Sequence, residues 1–473
     1  MVITPHHFLE NMFYPESIAI VGASTSDSES GWVRRLINFG YKGKIYPVNP
    51  KATEISGLPS YPSVRDIPDP VEYAIFNIPA RFTLQAMNDC IAKGVKYVHC
   101  FAAGFSETGL DEARVMEQQL LALAKASGIR LLGPNCMGLY CPSAGLTFNQ
   151  DFPKESGQVA FVSQSGAEAM RLVFLGQDVG IYFSKVASYG NAADLDAPDF
   201  LEYLADDEET KAVACYIEGV KNGPRFVSAV KKCLTKKPVV ILKAGLTESG
   251  SGAAASHTAS LTGAKPVWDA FFKQTGAIPA NTMDEVADIL QALIRVKPTR
   301  GRRVAVAGRG GGIGVVAADI CERAGLKVPA FSKETRDRLL EVIPEAGASI
   351  RNPVETTAGL GGASLFYRRG LPIVDADTET DIILIHIAVD VYGTHTPDLA
   401  QKVGEAADAL AEKAPSLRKP LAAALFTGGH PDTILAVHAA REKLIKAGVA
   451  VFSGVESATR ALNKIIDYYS RVE

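Results

Sequence analysis

The sequence lacks both a strong charge of one sign and a long apolar run. Its 473 residues carry a formal net charge of −3, and 21% of them are charged. This balance argues against the basic footprint of a nucleic-acid-binding protein and against a polybasic membrane patch. No apolar run is long enough to span a membrane, and residues 1–15 lack the apolar centre of a signal peptide. We therefore expect a soluble, cytoplasmic protein that acts on small molecules or on other proteins.

Paired metal-ligand and disulfide spacings are also missing. The seven cysteines are scattered, odd in number and without a CxxC pair, and the histidines form no HxxxH-type cluster. The cysteine pattern favours reduced thiols, which again indicates the cytoplasm. The histidine pattern argues against a metal site.

The chain is longer than a typical domain with a single hydrophobic core, so several domains are expected. One local plan occurs three times: an apolar strand, a turn rich in Gly and Ser, and a helix-compatible stretch, starting near Ser17, Gln158 and Arg303. Each copy is typical of the first βα unit of an open α/β domain. Polar, turn-rich segments at 152–157 and 297–301 indicate the boundaries. We predict three domains, at residues 1–150, 151–298 and 299–473.

Further apolar runs predict the remaining strands of these domains. They are Ala74–Ile78, Tyr97–Phe101, Arg130–Leu132, Ala212–Ile217, Val239–Lys243 and Ile382–Val389. The runs are continuously apolar, as in parallel strands that helices cover on both faces. The predicted fold class is therefore α/β, with an amphipathic helix at Ser457–Tyr469 near the end.

Three Gly/Ser turns are candidate anion sites, because a turn between a strand and a helix presents backbone N–H groups at the positive end of the helix dipole. They are Gly22-Ala23-Ser24, Ser163-Gln164-Ser165-Gly166 and Gly310-Gly311-Gly312-Ile313-Gly314. The first is not a GxGxxG fingerprint, so a nicotinamide site has little support. Lys51 adds a cation near that turn, or is simply a surface lysine. The second turn serves equally well as a helix N-cap.

His257 is the candidate nucleophile. It stands among small residues in the segment 253–263, and a neutral imidazole can attack an electrophile and carry the transferred group. Glu218 follows the strand at Ala212–Ile217, where open α/β sheets place site residues. A carboxylate there can orient a histidine ring and fix its tautomer. The alternative for Glu218 is a solvated loop acid.

Cys136 lies in the segment Leu132-Gly133-Pro134-Asn135-Cys136-Met137-Gly138. A free cysteine is most often a small buried hydrophobe, and no base is paired with this one in the sequence. We therefore expect the turn that contains Asn135 to shape a pocket, rather than Cys136 to act as a nucleophile.

Together these motifs resemble the α subunit of the ADP-forming acyl-CoA synthetases, relatives of succinyl-CoA synthetase. The resemblance covers essentially the whole chain. The segments that carry it are Ile20–Ser24, Gly43–Lys51, Ala103–Phe105, Gly133–Cys136, Phe161–Gly166, Tyr216–Gly219, Lys243–Gly245, Ser256–Thr258 and Ser260–Leu261. The resemblance implies an N-terminal Rossmann-like domain that binds coenzyme A, followed by two flavodoxin-like domains of the succinyl-CoA-synthetase type.

The resemblance also implies roles for individual residues. His257 would be the phosphorylated histidine that relays phosphate between nucleotide and acyl substrate, and Glu218 would hold its ring. Phosphate would bind at Ser163, Gln164, Ser165 and Gly166 and at Gly311, Gly312 and Gly314. Coenzyme A would bind at Gly22, Ala23, Ser24, Lys51, Phe101, Ala102 and Ala103. Asn135, Cys136 and Met170 would line the substrate pocket.

No segment of the sequence resembles an ATP-grasp domain. We therefore expect ATP or ADP, with Mg2+, to bind a separate ATP-grasp β subunit, so that this chain works in a hetero-oligomer on a small carboxylic acid. Departures from the family pattern at Ala259, Thr262, Arg309, Gly310 and Ile313 leave the acid open, whereas Glu355 in place of the usual Asp is expected to be mild. Two alternatives are a CoA-binding regulatory or scaffolding protein without turnover and a nicotinamide dehydrogenase.

Overall fold

The computed structural model describes residues 7–25, 31–258, 263–343, 349–356, 362–393 and 398–472, and at 254–258 it describes the backbone alone. The chain divides into two compact units, Met1–Val286 and Ala287–Glu473. The first unit contains two large sheets and the second contains one.

The first sheet follows a short N-terminal helix, α1 (Phe8–Phe13). Its strands, with a small ribbon of β3 and β4, are β1 (Ser17–Val21), β2 (Lys44–Val48), β3 (Glu54–Ile55), β4 (Leu58–Pro59), β5 (Tyr73–Phe76), β6 (Tyr97–Cys100) and β7 (Arg130–Leu132). The helices are α2 (Trp32–Phe39), α3 (Thr83–Lys93) and α4 (Asp111–Ser127). The large strands are parallel, in the order β2-β1-β5-β6-β7. Buried side chains such as Ala74, Phe76 and Val98 form its core.

The second sheet has six strands. They are β8 (Gly138–Tyr140), β9 (Val159–Ser163), β10 (Phe183–Ser188), β11 (Ala212–Ile217), β12 (Val239–Lys243) and β13 (Ile278–Ala280). The helices are α5 (Gly166–Asp178), α6 (Ala197–Asp206), α7 (Gly223–Leu234), α8 (Glu248–Thr258), α9 (Lys265–Thr275) and α10 (Met283–Arg295), the last of which crosses the boundary between the units. The order is β13-β12-β11-β9-β10-β8, and β8 alone in this sheet is antiparallel.

The second unit is built around a third parallel sheet. Its strands are β14 (Val304–Gly308), β15 (Val354–Glu355), β16 (Ile382–Ala388), β17 (Leu421–Phe426) and β18 (Ala450–Phe452), in the order β15-β14-β16-β17-β18. The helices are α11 (Gly311–Arg323), α12 (Lys333–Leu340), α13 (Gly362–Leu365), α14 (Leu371–Ala376), α15 (Leu399–Lys413), α16 (Pro431–Lys446) and α17 (Val455–Tyr469). A π-helical turn, Phe366–Gly370, joins α13 to α14.

All three sheets share one strand order. Numbered within each sheet and leaving β8 and the ribbon aside, the order is 2-1-3-4-5, which is that of doubly wound α/β proteins. In such sheets the ligand crevice lies at the carboxyl ends of the first and third strands. At this point the connections from the two strands run to opposite sides of the sheet. The observed architecture confirms the predicted α/β class. None of the helices in the described ranges combines the length and the apolar character needed to cross a bilayer.

Candidate functional site

Three neighbouring strands of the second sheet end at one edge and carry candidate site residues. The register pairs Ser163 of β9 with Tyr216 of β11, and Ile217 of β11 with Lys243 of β12. Because these strands are parallel, the turn after β9, Glu218 after β11 and Lys243 at the end of β12 lie at the same edge. This edge is the crevice position of a doubly wound sheet.

Gln164 joins the first two of these strand ends. Its side-chain oxygen Oε1 accepts hydrogen bonds from the backbone N–H groups of Glu218 (2.8 Å) and Gly219 (3.1 Å). Its own backbone N–H donates to the carbonyl oxygen of Tyr216 (3.1 Å). Gln164 therefore fixes the backbone at Glu218, and its N–H and Oε1 already have partners within the protein.

The carboxyl group of Glu218 is buried, with 5% of the residue exposed. It accepts a hydrogen bond at Oε1 from the hydroxyl of Tyr216 (3.3 Å). Burial raises the pKa of the Tyr216 hydroxyl, and the charge of Glu218 raises it further, so Tyr216 stays a donor at neutral pH. Glu218 is thus held by its backbone and by its side chain, as a residue that orients a histidine ring needs to be.

Lys243 is a third part of this edge, and the sequence analysis assigned no role to it. Its ammonium group donates to the carbonyl oxygen of Glu218 (2.7 Å) and to that of Ala244, and it lies 5.2 Å from the centre of the Trp268 ring. Burial lowers the pKa of Lys243 to about 8, and the Glu218 charge opposes that shift. A lysine ending a continuously apolar strand is the signal that could have found it.

The N-terminus of α5 begins at the turn after β9. Ser163 donates its hydroxyl to the carbonyl oxygen of Ser165 (2.7 Å), and the Ser165 hydroxyl accepts from the N–H of Glu168 (3.3 Å) as the N-cap of the helix. Both hydroxyls therefore serve the turn itself. The first helical residues, Gly166 and Ala167, line a cleft.

This cleft has a volume of about 570 Å³ and lies within the first unit. Loops after three strands of the first sheet, β5, β6 and β7, form one wall, and the start of α5 forms another. It brings together eight of the residues predicted for coenzyme A, the substrate pocket or phosphate: Phe101, Ala102, Ala103, Asn135, Cys136, Gln164, Ser165 and Gly166. Asn77, Ile78, Pro79, Met137 and Gly190 complete the lining together with Ala167. Met170 lies further along α5, where its sulfur accepts from the amide of Asn149 (3.7 Å).

The other residues predicted for coenzyme A lie at the ends of β1 and β2. The N–H groups of Gly22 and Ala23 donate to the carbonyl oxygen of Val48 (3.0 and 3.2 Å). Asn49, which the sequence analysis missed, donates its amide to the carbonyl oxygen of Ala23 (2.8 Å) and accepts from the N–H of Lys51 (2.8 Å). Asn49 thus joins the two predicted segments. The side chains of Ser24 and Lys51 are exposed.

Cys136 is part of the wall of the cleft and is almost fully buried. Its thiol lies 3.7 Å from the carbonyl oxygen of Cys100. Burial raises the pKa of the Cys136 thiol well above its usual value. A neutral thiol is a poor nucleophile, so the environment of Cys136 favours a role in shaping the pocket.

Two predicted elements are placed less completely. His257 belongs to the last turn of α8, and its side chain lies outside the described part of the structure. Residues 259–262, with Ala259 and Thr262, are also outside it. Gly311, Gly312 and Gly314 form the first turn of α11 in the second unit, where the N–H of Gly311 donates to Oε1 of Glu355 (2.8 Å).

Two family models together match most of the first unit and the beginning of the second. The model described as a CoA binding domain matches residues 16–142, and the model described as a succinyl-CoA ligase like flavodoxin domain matches residues 156–293. The fold and the cleft therefore define a CoA-binding protein of the succinyl-CoA ligase type.

Curated relatives identify the family more closely. The chain is 38% identical over 468 residues to the α subunit of acetate–CoA ligase (ADP-forming) II of Pyrococcus furiosus, covering 98% of each chain. It is 32% identical over 462 residues to 4-hydroxybutyrate–CoA ligase (ADP-forming) of Nitrosopumilus maritimus, covering 96% of this chain and 63% of that protein. The chain belongs to the ADP-forming acyl-CoA ligases and corresponds to their α subunit.

A solved structure agrees with this assignment. The dinucleotide forming acetyl-coenzyme A synthetase 1 of Ca. Korarchaeum cryptofilum, in complex with phosphate and ADP, superposes with a TM-score of 0.84 at 31% identity, over 99% of this chain and 98% of that chain. The predicted family, fold and enzyme class are confirmed. The findings support the ligase and not the regulatory alternative.

Proposed function

We propose that this chain forms or cleaves acyl-CoA through an acyl phosphate and a phosphohistidine at His257. The observation that carries the proposal is the cleft in the first unit, where loops of the CoA-binding sheet meet the N-terminus of α5. A helix N-terminus stabilises a phosphate. Coenzyme A bound to the domain beside it would supply the thiol that receives the acyl group.

The proposed reaction has three balanced steps. The γ-phosphoryl group of ATP passes to a ring nitrogen of His257, and ADP leaves. The phosphoryl group then passes to a carboxylate oxygen of the acid, which gives an acyl phosphate and frees His257. The thiolate of coenzyme A attacks the acyl carbon, and inorganic phosphate leaves. Activation is needed because a carboxylate is a poor acylating agent.

Residues of this chain would position these reactants. Glu218, which Gln164, Tyr216 and Lys243 hold at the edge of the second sheet, would orient the ring of His257. The first N–H groups of α5 would face the transferred phosphate. The loops at Ser24, Lys51 and Phe101–Ala103 would hold coenzyme A.

The nucleotide site is proposed to lie on a partner. Relatives named as α subunits support a partner subunit, and no segment here resembles an ATP-grasp domain. We assign ATP or ADP and Mg2+ to an ATP-grasp β subunit, and the reaction to the cytoplasm. The relatives' names favour a small acid such as acetate.

Phosphate transfer from labelled ATP tests the proposal. The purified chain, mixed with its ATP-grasp subunit, should acquire an acid-labile phosphate that peptide mapping places on His257. His257→Asn should abolish the label and acyl-CoA formation but leave coenzyme A binding intact, whereas His438→Asn, a change at an exposed position on α16, should have no effect. A label elsewhere, or full activity of His257→Asn, would overturn the proposal.

A further inference from the structure

Asn191 is the buried centre of a half-buried polar cluster beside the cleft. It follows β10, and only 6% of the residue is exposed. Its side-chain oxygen accepts from the amide of Asn135 (3.3 Å), which lines the cleft. Its own amide nitrogen donates to Oε2 of Glu107 (2.6 Å) and to Oε2 of Glu117 (2.9 Å), and a longer contact joins it to Ser106 Oγ (3.3 Å).

The two carboxylates fix which way the amide of Asn191 faces. A carboxylate accepts hydrogen bonds and cannot donate them, so Asn191 must present its NH2 group to Glu107 and Glu117. Its oxygen then faces Asn135, and Asn135 must in turn present its own NH2 group to that oxygen. The charges of two glutamates thereby set the orientation of a polar side chain in the wall of the cleft.

The carboxylates are themselves held in place. Glu107 accepts at Oε1 from the N–H groups of Gly104 (2.5 Å) and Phe105 (3.1 Å). Glu117 accepts at Oε2 from both the N–H (3.2 Å) and the hydroxyl (2.7 Å) of Ser106. These hydrogen bonds therefore fix the two carboxylates that orient the amide of Asn191.

The backbone around Asn191 clamps the turn that carries Asn135. The N–H of Asn191 donates to the carbonyl oxygen of Pro134 (3.0 Å), and the N–H of Ala193 donates to that of Gly133 (2.9 Å). Gly190 passes so close that a Cβ there would lie 2.2 Å from the carbonyl oxygen of Asn135. Asn135 itself has a φ of 55°, in the left-handed region that asparagine tolerates.

Lys221 links the same loop to the strand end that carries Glu218. Its ammonium group donates to the carbonyl oxygens of Asn191 (2.8 Å) and Ala192 (2.7 Å), and it follows Glu218 in the same loop after β11. Asn191 therefore connects the loop after β11 with the turn at Asn135.

The turn at 135–137 lies between the loop predicted to bind coenzyme A and the start of α5. The N–H of Asn135 donates to the carbonyl oxygen of Ala102, in the loop predicted to bind coenzyme A (2.9 Å). At its other end, Met137 lies against Gly166 at the start of α5, since a Cβ on Gly166 would be 2.5 Å from Met137 Cγ. In the proposed reaction, a group transferred between the thiol and the phosphate would therefore lie next to this turn.

We propose that Asn191 is a positioning residue for the acyl end of the cleft, acting through Asn135. This inference rests on the proposed function. Asn191 holds the Asn135 amide in the one orientation that fits the acyl group, so that loss of Asn191 weakens recognition of the acyl group and spares recognition of coenzyme A.

Calorimetric binding of coenzyme A and of acetyl-CoA to the full chain separates these effects. Asn191→Ala should weaken acetyl-CoA binding by about tenfold and coenzyme A binding by less than about twofold, as expected for the loss of one half-buried hydrogen bond. Glu117→Gln, whose amide permits the opposite orientation, should give a smaller change in the same direction. Asn88→Ala, at an exposed position on α3, is the control and should change neither.

A double-mutant cycle distinguishes positioning from a general structural role. Asn135→Ala together with Asn191→Ala should raise the ratio of the two dissociation constants no further than Asn135→Ala alone. An unchanged ratio in Asn191→Ala, an equal loss for both ligands, or additive effects in the double variant would overturn the inference. Failure of the unmutated chain to bind coenzyme A would instead count against the proposed function.

Discussion

Helices α5 and α11 both begin at a glycine-containing turn after the first parallel strand of their sheet, but different groups occupy their N-termini. At α5 the cap is local, because Ser165 accepts from the N–H of Glu168 three residues later (3.3 Å). At α11 it comes from a neighbouring strand, because Glu355 of β15 accepts from the N–H of Gly311 (2.8 Å). Both turns suit an anion in the sequence, yet in the structure α11 already has a carboxylate at its start.

The difference teaches that a Gly/Ser turn predicts a helix N-terminus more reliably than it predicts a ligand. The partner at α11 is 44 residues away along the chain, and only the strand pairing of β14 with β15 brings it there. Phosphate binding at Gly311, Gly312 and Gly314 stays a prediction. It requires the carboxylate of Glu355 to move away from the N–H of Gly311.

The largest effect should follow from removing the side chain of Gln164, which joins the turn before α5 to the end of β11. Gln164→Ala removes the acceptor for two N–H groups at Glu218 and Gly219, and should lower the free energy of unfolding of the first unit by about 4 kcal/mol. Tryptophan fluorescence during urea unfolding reports this, since Trp32 and Trp268 both belong to the first unit. Acyl-CoA formation should fall as well, because Glu218 loses its support.

Gln164→Glu is the matched variant, because it keeps an oxygen at the same place. It should recover part of the lost stability, because the oxygen accepts the two N–H groups again but the new charge is buried. If Gln164→Ala unfolded at the same urea concentration as the unmutated protein, the hydrogen bonds of Gln164 would not stabilise the backbone at Glu218.

The strand that leads into α11, β14, ends against a buried imidazole. This predicts that the stability of the second unit depends on pH. Gly308 and His386 are so close that a Cβ on Gly308 would lie 2.4 Å from the ring, and Nδ1 of His386 has no partner among the described residues. Burial lowers the pKa of His386 from 6.5 to about 4. The unfolded chain therefore takes up a proton at a higher pH, so stability is full above pH 6.5 and falls by about 3 kcal/mol towards pH 4.

Unfolding of the second unit can be followed through Cys321, a buried thiol on α11. A pyridyl disulfide reacts at acidic and neutral pH, and peptide mapping separates its label on Cys321 from the label on the six cysteines of the first unit. The urea concentration at the unfolding midpoint should decrease as the pH is lowered from 7.5 to 5. His386→Leu should make this decrease smaller. His438→Gln, at an exposed position on α16, should keep it. An unchanged pH dependence in His386→Leu would show that other groups cause it.

The strands were predictable where their burial is continuous. The bounds of β11 and β12 agree with the apolar runs at Ala212–Ile217 and Val239–Lys243, because parallel strands covered on both faces need apolar residues throughout. Strand β10 was missed because it contains Lys185. That lysine is 1% exposed and forms ion pairs with Asp207 (3.0 Å) and Glu209 (2.8 Å), which a sequence pattern does not reveal.

The site was predictable at strand ends and in turns, where local sequence sets the geometry. Glu218 lies at the predicted end of its strand, and Asn135 lies in the wall of a cleft. The contacts that hold these two residues, from Gln164 and Asn191, join segments 54 and 56 residues apart. Such contacts depend on the strand order, which no local pattern contains. The domain bounds remain a prediction.

Removing each helix cap should have a smaller effect, confined to one unit. Ser165→Ala should lower the stability of the first unit by about 1 kcal/mol, and Glu355→Ala should lower that of the second by a similar amount. Glu355→Gln keeps an oxygen acceptor and should lose less. Tryptophan fluorescence and peptide-resolved labelling of Cys321 follow the two units separately. Loss of stability in the wrong unit would contradict the assignment of the caps.

The smallest effect compares one glycine from each helix start. A Cβ on Gly312 would meet nothing within 4 Å, so Gly312→Ala should raise the stability of the second unit by about 0.5 kcal/mol through the lower entropy of the unfolded chain. A Cβ on Gly166 would lie 2.5 Å from Met137 Cγ, so Gly166→Ala must displace a residue that lines the cleft and should weaken acetyl-CoA binding. The two substitutions are chemically identical, and calorimetry and urea unfolding measure both. If Gly166→Ala proved as harmless as Gly312→Ala, the contact between α5 and the turn at Met137 would not constrain the cleft, and the two helix starts would be equivalent after all.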